Sequence, residues 1–288
     1  MISLFAAEDR AAKLDRIGDP LQVLDRHIDF AAIAAVVEAR LTIGKSRKGG
    51  RPAWPAEVMV RLLVRRQLYN LSDEAREFQV LDRRSFLRFA GLERSGKVPD
   101  ARTFWVWRER LKQGDLMGDI SAAVSGQLQR AGFIARGGQI IDASFVTAPI
   151  QRNTREENAQ LKQGQVPSHW SDAKRAHKDV DARWARKHGK NHFGYKLHAN
   201  TDRRWGFIRK AQVTPANVHD SAMFERVLDP ANTARQVYAD RGYGKRDREH
   251  ALKAQGYRPR IQRQGQAHRP LSAADQRRNR SIARDRAF

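Results

Sequence analysis

The hydrophobic period of this chain changes once along its length, near Gly137, and that change restricts it to a helical part followed by a part built around strands. Before the change, Leu21, Leu24, Ile28, Ala31 and Ala35 recur at spacings of three and four, with Ile33, Val36 and Val37 widening the apolar face. Ala56 to Leu68 predicts a second helix. Ser72-Asp73-Glu74 opens a third, with a serine cap and carboxylates in the first turn. Further helices are expected over Arg83–Phe89, over Ala101–Lys112 after Pro99-Asp100, and over Asp115–Gln129. A basic, glycine-rich linker from Gly44 to Pro52 is expected to be exposed.

After Gly137 the residues read as strands. Gln139 to Val146 is a nearly continuous apolar run, and Phe193 to Ala199 alternates with period two. Asp202-Arg203-Arg204 predicts a turn from which Trp205 to Val213 returns as a hairpin partner. Gln236–Ala239 and Tyr257–Gln262 predict two more strands, with helices from Asn217 to Leu228 and from Lys245 to Gln255. The polar stretch from Gln151 to Lys190 reads as an irregular or partly helical insertion. The predicted organisation is a helical N-terminal domain over residues 1–134 and a second domain over 135–288 with a polar insertion at 148–191. The fold class is α+β or α/β, an all-helical part followed by a mixed sheet of the ribonuclease-H kind.

Asp142 interrupts the first apolar run, where an unpaired ionised carboxylate would cost several kcal/mol, so the fold is expected to provide a partner. Asp240 follows the apolar Val237-Tyr238-Ala239 and precedes the breaker run Arg241-Gly242-Tyr243-Gly244. In a sheet whose first and fourth strands are parallel neighbours, these carboxylates, distant in sequence, meet at the strand ends. Oxygen ligands of that kind suit Mg²⁺ or Mn²⁺. Two such ions would clamp the attacking and leaving oxygens of a phosphodiester displacement. Each aspartate taken alone is equally read as a strand-end cap or an ion pair, Asp240 with Arg241 for instance.

Charge names the partner class. The 288 residues carry 55 Lys and Arg against 32 Asp and Glu, a formal net charge of +23, which attracts phosphate backbones. There are no cysteines, which excludes disulfides and thiolate zinc sites. No segment approaches the ~18 apolar residues of a membrane span, and the start lacks a secretory pattern, so a cytoplasmic, nucleoid-associated protein is expected. No P-loop or dinucleotide fingerprint supports a phosphate-binding metabolic enzyme.

Four blocks in order carry a resemblance: Gln139-Ile140-Ile141-Asp142-Ala143-Ser144-Phe145-Val146, His192-Phe193-Gly194-Tyr195-Lys196-Leu197-His198, Thr214-Pro215-Ala216-Asn217-Val218-His219-Asp220-Ser221 and Tyr238-Ala239-Asp240-Arg241-Gly242-Tyr243. They resemble bacterial insertion-sequence transposases of the DDE class, of the insertion-sequence-five family. Leu71-Ser72-Asp73-Glu74, Phe86-Leu87-Arg88-Phe89 and Pro99-Asp100-Ala101-Arg102-Thr103-Phe104-Trp105 resemble that family's helical N-terminal domain. The resemblance implies a ribonuclease-H-like core that uses divalent metal to cut double-stranded DNA at terminal inverted repeats and join it to a target, as a homodimer on the synapsed ends. It implies that Asp142 and Asp240 are the first two catalytic, metal-binding aspartates. The family's third carboxylate, a glutamate, follows a C-terminal basic run like Arg277 to Arg286. Here it is absent, so a core incomplete at its C-terminus, with impaired activity, is expected. Asp285 would face away from the site, one residue from Arg286.

From Arg241 to Phe288 there are 14 Lys and Arg against four Asp and Glu. Arg241, Lys245, Arg246, Arg280 and Arg284, together with Lys196, are the candidate DNA-binding residues, while 264–288 reads alternatively as a solvated tail. The stretch 54–113 is a candidate helix-turn-helix array on DNA, and His219-Asp220 a candidate helix cap. A DNA-binding fragment that represses transposition, or a structure-specific nuclease, are the alternative readings.

Overall fold

A computed structural model describes residues 5–41, 52–133, 137–187, 189–266, 268 and 270–287. The predicted linker, except for Pro52, lies outside the described residues. The chain divides into two compact units, Met1–Gly132 and Phe133–Phe288.

Unit 1 holds eight helices among the described residues: α1 (Ala6–Ile17), α2 (Pro20–His27), α3 (Phe30–Arg40), α4 (Ala56–Leu68), α5 (Asp73–Asp82), α6 (Arg84–Phe89), α7 (Ala101–Gln113) and α8 (Met117–Arg130). The starts follow the chemistry of the caps. The Ser72 hydroxyl accepts from the Ala75 N–H at 3.1 Å, and Asp100 from the Thr103 N–H at 2.6 Å, each satisfying a donor the helix leaves open. The apolar face drawn through Leu21 and Ala35 is broken at Ile28–Asp29. Asp29 caps a new helix by accepting from the Ala32 N–H, so Ala31 and Ala35 face solvent while Phe30, Ile33, Ala34 and Val37 form the core.

Unit 2 is a six-stranded mixed sheet with helices. Its strands are β1 (Gln139–Thr147), β2 (Arg183–Lys187), β3 (Lys190–Asp202), β4 (Ile208–Pro215), β5 (Gln236–Ala239) and β6 (Arg258–Ile261). β1 pairs antiparallel with β3 and parallel with β5, and β6 pairs parallel with β5. The free edge of β3 is shared, with β2 along residues 190–194 and β4 along 195–201. Asp202 makes the predicted turn, accepting from the backbone N–H groups of Arg204 and Trp205. Gly194 has φ +139°, and a Cβ there would lie 2.3 Å from the Val146 carbonyl, so β3 can approach β1 this closely only with glycine.

The helices of unit 2 are α9 (Arg155–Lys162), α10 (Asp172–Ala176), α11 (Phe224–Val227), α12 (Arg246–Ala254) and α13 (Ala273–Arg286). Ile141, Phe224, Val227, Leu252 and Ile261 form one core cluster, and Ile140, Tyr238 and Ile282 another. The two successive isoleucines of β1 thus serve opposite faces of the sheet, as strand alternation requires. Two expectations fail here. The insertion is partly helical, with α9 and α10, but it also contains β2, a polar edge strand held by its backbone ladder to β3 and therefore lacking an apolar alternation. Residues 273–286 are not a solvated tail. They form α13, whose one buried residue, Ile282 at 1% exposure, contributes about 2 kcal/mol of burial. Polar contacts complete the docking: Arg278 donates to the Ile261 carbonyl at 2.7 Å, and the Asn279 amide to the Arg263 carbonyl at 2.9 Å.

Candidate active site at the strand ends

The register pairs Ile141 of β1 with Ala239 of β5, so the next residues, Asp142 within β1 and Asp240 just past the end of β5, are neighbours. Parallel strands run about 5 Å apart. Asp240 keeps an extended backbone (φ −77°, ψ 176°). By alternation both aspartates lie on the face of Ile140 and Tyr238, where α13 docks. Asp240 is half-buried and caps the 3-10 turn Arg241–Tyr243 by accepting from the Gly242 N–H at 2.8 Å.

Asp142 differs from the expectation of burial. Its side chain is 55% exposed, because the core ends at Ile141 and β1 continues beyond the end of β5. Its partner is Arg286 of α13, 144 residues later, whose Nη2 donates to Oδ2 at 2.6 Å. Oδ1 accepts from the Ala143 N–H at 2.9 Å. Arg286 is only 14% exposed, and its Nε is buried without a partner. Asp285 turns the other way and accepts from Arg203 at 2.6 Å.

A cavity of about 710 Å³ lies at this end of the sheet, lined among others by Asp240, Arg241, Asp220, Lys196, Phe145 and Arg286. Tyr243, next in the chain to the lining residue Gly242, is buried, and its phenol hydroxyl has no hydrogen-bond partner among the described residues. Burial, then the negative fields of Asp220, Asp142 and Asp240, push this phenol above its ordinary value against the opposing field of Arg286. It therefore stays protonated, a donor surrounded by three aspartates. Asp220 is engaged by Lys196, whose ammonium donates to Oδ1 at 2.7 Å and to the Val218 carbonyl at 2.9 Å. The His219 ring accepts from the Ser221 N–H at 3.2 Å. His198 is buried against Thr214, and desolvation lowers its pKa, so it offers no surface to phosphate.

Of the candidate DNA-binding residues, Arg241, Lys245 and Arg246 are exposed and line a second cavity of about 950 Å³. Arg280 and Arg284 are exposed on α13, away from the lining of both cavities, and Lys196 is half-buried. Sequence reasoning missed the contact of Arg286 with Asp142 and the buried Arg248. The guanidinium of Arg248 joins Ser221, Glu225 and the Tyr243 carbonyl. No periodicity marks either arginine; Arg286 ends the basic run that carries the resemblance, but nothing there points to Asp142.

Two neighbouring carboxylates fit one magnesium or manganese ion, which keeps other positions for water and phosphate. Among the described residues no group of three or more His, Asp or Glu converges to hold a metal. The further carboxylate lining this cavity, Asp220, is paired with Lys196.

A mixed sheet with neighbouring aspartates at its β1–β5 pair, on a strongly basic chain, defines a candidate phosphodiester-processing protein. The chain belongs to the transposase DDE domain family, whose model matches residues 135–287. A second family model, transposase domain DUF772, matches residues 8–110. The chain is 28% identical over 189 residues to a transposase for insertion sequence element IS1106 of Neisseria meningitidis serogroup B, which covers 64% of this chain. The match spans 62% of that relative's length. No solved structure matches the chain. No helix among the described residues is long and apolar enough to cross a membrane.

Proposed function

We propose that this chain is an insertion-sequence transposase that cuts double-stranded DNA at terminal inverted repeats and joins the freed ends to a target, acting as a homodimer on the nucleoid. The observation that carries the reading is the β1–β5 register, which makes Asp142 within β1 and Asp240 just past β5 neighbours. The strand order supports a ribonuclease-H-like core in which an antiparallel β1–β3–β4 meander continues through parallel β5 and β6. Unit 1 serves DNA contact and unit 2, over 135–288, the chemistry.

Asp142 and Asp240 would hold Mg²⁺ or Mn²⁺, whose Lewis acidity acts on water and on the phosphodiester. Arg286 neutralises Asp142 and must yield one carboxylate oxygen for the aspartate to take a cation. Its forked guanidinium can then turn to a phosphate oxygen, a geometry suited to arginine. Arg241, Lys245 and Arg246 neutralise phosphates of the bound DNA, as do Arg280 and Arg284 on the outer side of α13. The same Arg286–Asp142 pair favours a second reading, in which the chain occupies the repeats without cutting and represses transposition.

The test is nicking of supercoiled plasmid carrying the element's ends, with the full chain and Mg²⁺. Metal-dependent nicking is expected, and Asp142→Asn should abolish it while DNA affinity is retained. Cleavage by Asp142→Asn at the wild-type rate refutes the assignment. Salt-sensitive binding with no nicking by the unaltered chain establishes the repressor instead, and nicking without joined products makes the protein a nuclease.

A further inference from the structure

The 950 Å³ cavity is continuous with the one at the aspartates, because Arg241, Gln262, Arg263, Gln264 and Leu271 line both. Together they make one trough that leads from Asp240 across α12 to the segment after β6. Its cations outnumber the carboxylates Glu249 and Asp275, which line it too. Arg241, Lys245, Arg246 and Lys253 are all exposed, and none pairs with a carboxylate among the described residues. Arg263 differs, since Asp275 holds it at 2.5 Å. Four cations without a salt bridge among the described residues, against the one half-buried Glu249, leave the trough net positive, and a run of phosphates is the ligand that relieves this.

The neutral side chains add a second kind of information. Gln262 is structural, since its amide donates to the Asn279 carbonyl at 3.0 Å. Gln264 and Gln266 line the same wall, are exposed, and make no side-chain hydrogen bond among the described residues. Both line the 950 Å³ cavity. A glutamine amide carries one donor group and one acceptor, which match the N6 and N7 edge of adenine, whereas a phosphate can use only the donor.

We infer that this trough holds the DNA next to the cleavage position, with Arg241, Lys245, Arg246 and Lys253 on its phosphates and Gln264 and Gln266 reading base edges. The segment after β6 is then a specificity determinant that works beside the aspartates. The inference rests on the DNA-processing reading above.

The experiment is selection of a random-sequence duplex library on the full chain. Measured binding of the enriched duplex and a scrambled one follows, over a range of salt concentrations. Gln264→Ala with Gln266→Ala should lower the preference for the enriched duplex by roughly tenfold, with the salt slope unchanged. Lys245→Ala and Lys253→Ala should each reduce the slope of log affinity against log salt by about one, with the preference kept. All four side chains are exposed, so the variants should melt with the parent, which circular dichroism checks. A glutamine variant with undiminished preference overturns the base reading. Lysine variants with an unchanged slope show the trough to be a solvated basic face. Plasmid nicking separates the two levels. If the parent and the glutamine variant nick alike while preference is unchanged, the trough proposal fails alone; if the parent never nicks, the catalytic reading fails.

Discussion

Arg248 on α12 is the residue whose loss should most disturb the site without touching it. Its guanidinium donates to both carboxylate oxygens of Glu225 (2.6 and 3.0 Å), to the Ser221 hydroxyl (2.7 Å) and carbonyl (2.6 Å), and to the Tyr243 carbonyl (2.8 Å). One buried side chain thereby joins α12, the 3-10 turn Asp220–Met223 and the turn that Asp240 caps. Arg248→Ala leaves two backbone carbonyls and a hydroxyl in the interior without donors, at about 1 kcal/mol or more each. Glu225, 62% exposed, rehydrates and adds little. The expected loss is about 3–4 kcal/mol, at the lower end for a broken buried charge network. For a unit of this size that lowers the melting temperature by roughly 10 °C. Glu225→Gln, which keeps the arginine and its three interior acceptors, should cost under about 1 kcal/mol. Urea and thermal unfolding of both full-length variants, followed for the sheet-containing unit, is the assay. Plasmid nicking at a temperature where both are folded should fall in Arg248→Ala, because the Asp240 turn has lost its anchor. A melting temperature for Arg248→Ala within about 2 °C of the parent, or an equal loss in Glu225→Gln, refutes the reasoning.

Two further predictions concern charge. Arg286→Ala frees a carboxylate oxygen of the exposed Asp142, so half-maximal nicking should need about three- to fivefold less Mg²⁺, the worth of one partly exposed ion pair; an unchanged Mg²⁺ titration shows that arginine and metal do not compete. Glu157 is buried in the insertion, where Lys174 foremost, then the Trp170 indole and the Thr154 N–H, hold its carboxyl well below the ordinary 4.5. A depressed folded pKa stabilises above the unfolded value and loses that contribution as pH falls below it. The parent should therefore resist proteolysis of 148–187 better than Glu157→Gln at neutral pH and lose the advantage progressively below pH 4.5. An advantage undiminished in strong acid would contradict this.

Sequence alone determined what local chemistry determines. Ser72 and Asp100 are helix caps because a short side-chain oxygen reaches the open N–H groups of the next turn, wherever the helix packs. The strands after Gly137 announce themselves because burial on a sheet enforces alternation or an apolar run, and Asp142 and Asp240 stand out because they end such runs. Tertiary structure decided what depends on partners remote in the chain. Arg286 reaches Asp142 across 144 residues, and Arg248 gathers its acceptors from two turns and α11. Polar contacts of this kind leave no period in the sequence, since a paired arginine and a solvated one are spelled alike. For the same reason β2 and α13 were read as insertion and tail. One is held by backbone hydrogen bonds and the other by a single isoleucine with polar contacts and ion pairs, and only the finished sheet supplies the surface that makes those contacts favourable.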